Sequence, residues 1–206
     1  MITIILIEPE HPGNIGAVCR VMKNFDFDKL VLVNPKCKID EELKNRAKNA
    51  QDVVKKIKIV KKIPKYDLLV GTTAALGTDY NVSRTPIMPD IFAAKVDSRN
   101  IGLVFGREGE GLHNNELEKC DIVVSIPTSK KYQALNISHA VSIMLYELYK
   151  LHGKNKITSG FAPATEKEIK QIEKIMNDAL NEVKFATPEK KETQRKLWKN
   201  CLAKQC

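Results

Sequence analysis

The sequence predicts an α/β protein in which helices cover both faces of a mainly parallel sheet. Two observations support this fold class. Short apolar stretches alternate with amphipathic ones along residues 1–150, which is the pattern of repeated strand–helix–strand units. Hydrophobic residues make up 43% of the 206-residue chain, which is enough for the core of one such domain and excludes global disorder.

The first elements are a buried strand and an amphipathic helix. Residues 2–7 are almost entirely apolar and predict the strand. A turn containing Pro12 and Gly13 follows, and Asn14 has a side chain suited to cap the next helix. The core face of that helix is predicted to carry Ile15, Val18, Met22 and Phe25. Arg20 lies on another face, so we expect its side chain to point away from the core.

The middle of the chain continues the alternation. Apolar stretches predict strands at residues 29–34, 57–60, 67–74 and 101–105. The stretch at 57–60 is short and surrounded by lysines, which is typical of an edge strand. A polar helix is predicted at residues 40–49, and a short helix at 90–96.

A strand, a polar loop and a helix follow one another between residues 122 and 152. The apolar strand at 122–126 ends at Pro127, and Asn136 precedes a run of apolar residues spaced three and four apart. Asn136 is therefore predicted to cap an amphipathic helix. A loop between a strand's carboxyl end and a helix N-terminus commonly holds a ligand in α/β proteins. An ordinary capped connection would have the same sequence pattern.

The loop Gly106-Arg-Glu-Gly-Glu-Gly111 directly follows a predicted strand. Its glycines resemble those of phosphate-binding loops, but their spacing is not G-x-G-x-x-G, and no Lys-Ser/Thr pair follows, which excludes a P-loop. Glu108 and Glu110 would repel a phosphate, so the loop suits a neutral or cationic ligand. Glu108 could equally bond to nearby backbone or to an arginine, and a tight turn alone would explain the glycines.

The composition changes after residue 152. Residues 153–164 contain glycine, proline and polar residues and are predicted to be a linker. Thr165 and Glu168 have the spacing of a capping box before an amphipathic helix, and Pro188 starts another helix, which is basic. This basic appendage at residues 165–206 could bind a polyanion such as RNA, or it could be an arm that stabilises a dimer and has a solvated basic face.

The net charge of +9 is unevenly distributed. The C-terminal part is the more basic, and a second basic patch comprises Lys55, Lys56, Lys58, Lys61, Lys62 and Lys65, with no acid between them. Such patches suit a polyanion such as RNA. A solvated, lysine-rich surface would have the same composition.

Cysteine and histidine usage argues against metal binding. The five cysteines are odd in number and form no C-x-x-C pair, which predicts a reducing, cytoplasmic setting without structural zinc. The four histidines are scattered singly, so no metal site is predicted. No apolar run reaches the ~18 residues that a membrane helix needs, and the apolar start lacks the basic region of a signal peptide.

Three separated stretches together resemble a known family. These are Glu8-Pro-Glu-His-Pro-Gly-Asn-Ile-Gly-Ala-Val-Cys-Arg20, Leu103-Val-Phe-Gly-Arg-Glu-Gly-Glu-Gly-Leu112, and the stretch from Ile126-Pro127 through Leu135-Asn136-Ile-Ser138. In order and spacing they resemble the three motifs of SpoU/TrmH-type RNA 2′-O-methyltransferases in the SPOUT superfamily. The opening motif and Gly71-Thr-Thr-Ala74 look most like the TrmJ branch, which methylates the ribose at nucleotide 32 of tRNA.

The resemblance implies an architecture. Residues 1–152 would form a SPOUT domain with a parallel sheet and a C-terminal trefoil knot, which is a rare exception to the absence of knots in proteins. The protein would be a homodimer that binds S-adenosylmethionine in the knot without a metal. The cofactor residues carried over by motif are Thr72, Thr73, Ala74, Gly106, Ile126, Ala134, Leu135 and Asn136.

The resemblance also implies an activity, which is S-adenosylmethionine-dependent 2′-O-methylation of RNA. The catalytic positions carried over are Arg20, Asn14, Glu108, Asn136 and Ser138. Arg20 would act as a base in family mechanisms, but a guanidinium does not readily give up its proton, which favours an electrostatic clamp on phosphate and developing alkoxide. Candidate RNA contacts are Arg20, Lys130, Lys131, Tyr132 and Arg195. Tyr132 could stack on a base or shield the cofactor.

Two alternatives remain within this interpretation. The enzyme could methylate another tRNA position or rRNA, since nothing in the sequence fixes the RNA. The chain could also be a non-catalytic RNA-binding protein that keeps the knotted fold, although intact Arg20, Glu108 and Asn136 argue against loss of activity.

Overall fold

A computed structural model describes residues 1–74, 86–153, 165–184 and 187–203. The chain divides into two compact units, Met1–Asn155 and Lys156–Cys206. Most of the predicted linker, residues 154–164, lies outside the described residues. No helix in the described ranges is long and apolar enough to cross a membrane.

The first unit is built on a six-stranded sheet in which every described pairing is parallel. Its strands are β1 Ile2–Ile7, β2 Leu30–Val33, β3 Lys58–Val60, β4 Leu68–Thr73, β5 Ile101–Phe105 and β6 Ile122–Ser125. Their order across the sheet is β3-β2-β1-β5-β4-β6, so β1 and β5 are central and β3 is an edge strand. The predicted parallel α/β sheet and its edge strand are confirmed.

Helices connect these strands. They are α1 Pro12–Asn24, α2 Glu41–Ala47, α3 Gln51–Lys55, α4 Pro89–Ala94, α5 Asn114–Leu117 and α6 Ile137–His152. The larger of two buried clusters joins one face of the sheet to α1, α4 and α6, with Phe92, Met144 and Leu148 each at most 1% exposed. A smaller cluster around Ile5, Val104 and Leu112 covers the other face.

Gly16 brings α1 and α2 into close contact. A Cβ at this position would lie 2.3 Å from the carbonyl oxygen of Leu43, so only glycine permits the approach. Asp40 caps α2, because its side chain accepts the backbone N–H of Leu43 at 3.1 Å. The predicted helix at residues 40–49 is therefore confirmed, although it ends at Ala47 and a separate short helix, α3, follows.

Two short helices, α3 and α5, were not predicted. They contain five and four residues, which is too few for a helical repeat of apolar residues to be recognised. The helix α6 was predicted with its cap, and the Asn136 side chain does accept the backbone N–H of Ser138 at 2.9 Å. Such a cap contributes about 1 kcal/mol to stability.

The second unit contains two helices, α7 Glu166–Glu182 and α8 Pro188–Ala203. The predicted capping box at the start of α7 is confirmed. The Thr165 backbone N–H donates to the Glu168 carboxylate at 2.8 Å, and the Glu168 N–H donates to the Thr165 hydroxyl at 3.3 Å. Arg195 of α8 donates from Nη2 to the Asn181 side chain of α7 at 3.0 Å.

Candidate active site

A cavity of about 890 Å³ lies where β4, β5 and β6 end. In a parallel sheet these carboxyl ends share one edge, and ligands of α/β proteins commonly bind there. Three chain segments form much of its wall: the end of β4, the glycine loop after β5, and the loop between β6 and α6.

Most of the residues that the family motifs assign to the cofactor line this cavity. They are Thr72, Thr73, Ala74, Gly106, Ile126, Ala134 and Leu135. Asn136 is not among the lining residues, because its side chain turns toward α1 and the first turn of α6. The Thr72 hydroxyl donates to the Val104 carbonyl at 2.9 Å, which fixes the end of β4 against β5.

The glycine loop closes tightly on itself. The backbone N–H of Arg107 donates to the Gly111 carbonyl at 3.1 Å, and the backbone N–H of Gly111 donates to the Arg107 carbonyl at 3.0 Å. Gly111 has a left-handed φ of +69°, and a Cβ on Gly106 would lie 1.9 Å from the Gly111 carbonyl carbon. Both glycines are therefore required by the backbone path, which presents the loop to the cavity.

Arg107 links this loop to two other segments. Its guanidinium makes a two-pronged ion pair with Glu116 of α5, at 3.0 and 3.1 Å, and donates from Nε to Glu8 after β1 at 3.2 Å. The Arg107 side chain is only 11% exposed. Glu8 has a left-handed φ of 45°, a conformation that costs a non-glycine residue about 1 kcal/mol or more.

The ion pairs of Arg107 shift the acid–base equilibria of all three groups. The hydrogen bond from Arg107 lowers the pKa of Glu8. Burial opposes ionisation of Glu116, but the bonds from Arg107 and from the His113 backbone outweigh it and lower the pKa of that carboxyl as well. The bond to Glu116 is the main reason why the pKa of Arg107 is raised, so the cluster is fully charged near neutral pH.

A second network joins all three sequence motifs. Glu108, at the tip of the glycine loop, accepts the backbone N–H groups of Glu10 and His11 at 3.2 and 3.4 Å. It also accepts the Asn14 side-chain amide at 3.3 Å. Asn14 in turn accepts the Asn136 amide at 3.1 Å, and Asn136 accepts the Ser138 hydroxyl at 2.8 Å. Four of the five predicted catalytic residues are therefore connected.

The prediction that Asn14 caps α1 is wrong. The helix begins two residues earlier with Pro12, whose fixed φ suits the first helical position, and His11 occupies the capping position without a side-chain bond. The backbone N–H of Asn14 is already bonded to the His11 carbonyl. Because Asn14 lies inside the first turn, its side chain does not cap the helix and instead bridges Glu108 and Asn136.

The fifth predicted catalytic residue, Arg20, lies two turns further along α1 and is exposed. Among the described residues no acid or acceptor pairs with its guanidinium, which leaves the charge available to a ligand. This agrees with the expectation that its side chain points away from the core. The two residues that precede it in α1, Val18 and Cys19, are both buried.

The predicted RNA contacts near α6 are also on the surface. Lys130 and Lys131 are exposed, and Tyr132 is 78% exposed and does not line the cavity. This geometry favours stacking on a base over shielding of the cofactor. Arg195 belongs to the second unit, where Asn181 and Glu192 contact its guanidinium.

Sequence reasoning missed several residues of the site. Arg107 and Gln133 line the cavity, and Glu8 and Glu116 hold Arg107. The spacing of His113 and Glu116 is a weak signal, since an acid at the third helical position often bonds back to the residue before the helix. The pairing of Arg107 with Glu8, 99 residues earlier, has no local signature. Within the described residues, no group of three or more potential ligands could hold a metal.

Comparison with known proteins assigns the family. Residues 1–146 match the SpoU rRNA Methylase family. The tRNA (cytidine-2'-O-)-methyltransferase TrmJ of Methanocaldococcus jannaschii is 40% identical over 178 residues, which are 84% of this chain and 77% of that protein. The tRNA (cytidine/uridine-2'-O-)-methyltransferase TrmJ of Pectobacterium atrosepticum is 37% identical over 159 residues, 73% of this chain and 65% of that one.

A solved structure supports the same assignment. A probable methylase family protein from Haemophilus influenzae Rd KW20 superposes with a TM-score of 0.68 at 28% sequence identity, over 97% of this chain and 88% of that one. The sheet, the cavity at its carboxyl edge and the network joining three motifs thus occur in a chain whose relatives are methyltransferases. The chain belongs to the SpoU rRNA Methylase family.

Proposed function

We propose that this protein transfers a methyl group from S-adenosylmethionine to a ribose 2′-hydroxyl of tRNA, at nucleotide 32 of the anticodon loop. The observation that carries the proposal is the cavity bordered by the glycine loop, with the three family motifs joined beside it. The relatives named TrmJ support tRNA as the substrate class.

The residues around the cavity fit S-adenosylmethionine. When bound, this cofactor supplies an activated methyl group on a positively charged sulfur. The side chains of Ile126 and Leu135 form an apolar part of the wall. The end of β4 and the glycine loop offer backbone groups that can form hydrogen bonds with an adenine. Glu108 and Glu110 border the same cavity, and their carboxylates suit a ligand that is cationic.

The chain's own residues align the acceptor and stabilise its charge. Arg20 binds the RNA phosphate and stabilises the negative charge that develops on the ribose oxygen. This role does not require the guanidinium to lose its proton. Asn14 and Asn136 hold each other in one orientation, so the second N–H of each side-chain amide has a fixed direction in which to donate to the ribose. Glu108 and Ser138 fix the two ends of this pair.

We infer a homodimer and a knot from the family. α6 exposes Ile143, Tyr146 and Leu151, and α1 packs beside α6 in the large core cluster. A partner covering this apolar face would bring its own Arg20 near the first protomer's motifs. The knot would pass the loop between β6 and α6 through another loop at the cavity.

The domain organisation proposed is a methyltransferase domain at residues 1–152, a linker at 153–164 and a basic helical extension at 165–206. The extension would contact tRNA through basic residues such as Lys190, Lys191 and Arg195. The cytoplasm is the proposed location, since tRNA is modified there and the cysteine usage fits a reducing compartment.

Mapping of ribose methylation in tRNA and rRNA tests this function. Purified protein, S-adenosylmethionine and each RNA class are incubated, and 2′-O-methylated positions are read by blocked cleavage or primer extension. Methylation of nucleotide 32 of tRNA supports the proposal. Because the family description names rRNA, methylation of rRNA alone would assign a different substrate to the same chemistry.

A further inference from the structure

The lysine-rich stretch between Val53 and Tyr66 folds into the open edge of the sheet. It contains six lysines and no acid, and it covers the end of α3, the edge strand β3 and the loop that follows. Among the strands that the structure describes, β3 pairs with β2 alone, so the stretch lies at the opposite end of the sheet from β6. The activity proposed above does not use these residues.

Most of these lysines have no acidic partner within the described part of the chain. Lys56 is the exception, since its ammonium lies 2.5 Å from the Asp28 carboxylate. The remaining five, all exposed, are Lys55, Lys58, Lys61, Lys62 and Lys65. Elsewhere, lysines such as Lys23 and Lys44 sit 2.7 Å from an acid. The stretch therefore concentrates positive charge that the fold itself does not neutralise.

Protection of the sheet edge explains only part of this charge. Charged side chains on an edge strand prevent pairing with other chains, and Lys58 on β3 is placed for that purpose. Lys61, Lys62 and Lys65 lie beyond the last residue of the strand, where no free strand edge remains to be protected. Their charge needs another explanation.

Lys61 lies at the same edge of the sheet as the candidate active site, and Lys62 follows it. Lys65 instead lies near the amino edge, because the backbone N–H of Asp67 bonds to the Asn100 carbonyl just before β5. Asn34, which follows β2, donates from its side chain to the Lys61 carbonyl at 3.1 Å, so Lys61 lies at the carboxyl edge. Lys36, also after β2, is 3.5 Å from Glu8 of the Arg107 cluster. Neighbouring strands lie about 4.8 Å apart, so the end of β3 is roughly 15 Å from the glycine loop after β5.

We propose that Lys61 and Lys62, together with Lys36, form a carboxyl-edge lysine surface that binds phosphates of the substrate RNA away from the reacting ribose. The inference rests on the proposed function and adds a docking surface to it. Lysine acts here as a sequence-independent contact to the phosphate backbone, which holds the RNA in register without reading its bases.

A paired-variant experiment tests this surface. Lys61→Gln/Lys62→Gln removes two unpaired charges, and Lys44→Gln/Lys56→Gln removes two charges that already have acidic partners. Both double variants change the net charge equally. Dissociation constants for a tRNA transcript are measured across a KCl series, beside calorimetric titration of S-adenosylmethionine and single-turnover methyl transfer.

The surface variant should bind tRNA about five- to tenfold more weakly at low salt. Its plot of log Kd against log salt should be shallower by about 1.5, as expected for two lost phosphate contacts. Cofactor affinity and the single-turnover rate at saturating tRNA should stay within about twofold of wild type. The matched control should keep both tRNA affinity and salt slope.

Unchanged tRNA affinity in the surface variant, or an equal loss in both double variants, would overturn the proposal. If Lys61→Gln/Lys62→Gln lowers the melting temperature markedly, Lys62→Gln alone replaces it, with Lys44→Gln as its matched control and about half the change in salt slope expected. Failure of the wild-type protein to methylate any tRNA while it still binds tRNA would refute the proposed function and leave this surface standing.

Discussion

Asn136 donates its side-chain amide to the side-chain oxygen of Asn14 at 3.1 Å, across 122 residues of sequence. This bond connects the start of α6 with the first turn of α1. Because Asn14 also donates to Glu108, the third motif, the first motif and the glycine loop form one chain of hydrogen bonds. The cofactor cavity and the residues proposed to hold the ribose are thereby positioned together.

Asn14→Asp tests this connection. The substitution places a carboxylate where an amide now donates to Glu108 at 3.3 Å, so an attraction becomes a repulsion between like charges. We expect single-turnover methyl transfer to fall by about tenfold or more, since orientation of the acceptor is lost. Asn14→Ala, which removes the bonds without adding charge, should be less damaging. A faster single-turnover rate for Asn14→Asp than for Asn14→Ala would argue against the network.

Arg107→Gln tests whether the ion-pair cluster shapes the cofactor site. Without the guanidinium, the glycine loop loses its ties to Glu8 and Glu116, and calorimetry should give a dissociation constant for S-adenosylmethionine raised by about fivefold or more. Arg99→Gln is the matched control, because Arg99 forms an exposed ion pair with Asp97 elsewhere. Equal cofactor affinity in both variants would limit Arg107 to a role in stability.

The same cluster predicts a pH dependence of stability. The pKa values of Glu8 and Glu116 are lowered in the folded state. The contribution of these two carboxylates to the free energy of unfolding is therefore complete above the ordinary carboxyl pKa of 4.5, and it is lost as the pH falls below that value. Glu116→Gln should melt at a lower temperature than wild type near neutral pH, and the difference should shrink in acid. A difference that grows as the pH falls would contradict this assignment.

Arg20→Ala should abolish methyl transfer while leaving cofactor binding nearly intact. Its side chain is exposed and contributes nothing to the core, so the melting temperature should change little. Loss of a charge that acts on the transition state should lower single-turnover rates by about a hundredfold or more. Arg20→Lys should restore little, because an ammonium lacks the planar fork of guanidinium. Collapse of cofactor binding would instead place Arg20 at the cofactor.

Much of the fold could be predicted because its strands have a plain sequence signature. β1 and β5 are buried on both faces, so each is a continuous apolar run, and both were predicted with the observed bounds. The start of α6 was predicted for a similar reason, since Asn136 caps through a local bond to Ser138. Local chemistry of this kind can be recognised without knowledge of the tertiary structure.

The polar connections of the site could not be predicted in the same way. Asn14 looked like a helix cap because its residue type and position fitted one, yet its bonds go to Glu108 and Asn136. The ion pair between Arg107 and Glu8 depends on β1 and β5 lying side by side. Such contacts follow from strand order, which a periodic pattern of apolar residues does not contain.

The most direct test of the proposed activity is a single methyl-transfer measurement on tRNA. Wild-type protein is incubated with S-adenosylmethionine and an unmodified tRNA transcript, and ribose methylation is mapped at every nucleotide. We expect one new 2′-O-methyl group, at nucleotide 32 of the anticodon loop. A transcript with no ribose methylation, from protein that binds both cofactor and tRNA, would contradict the proposed activity.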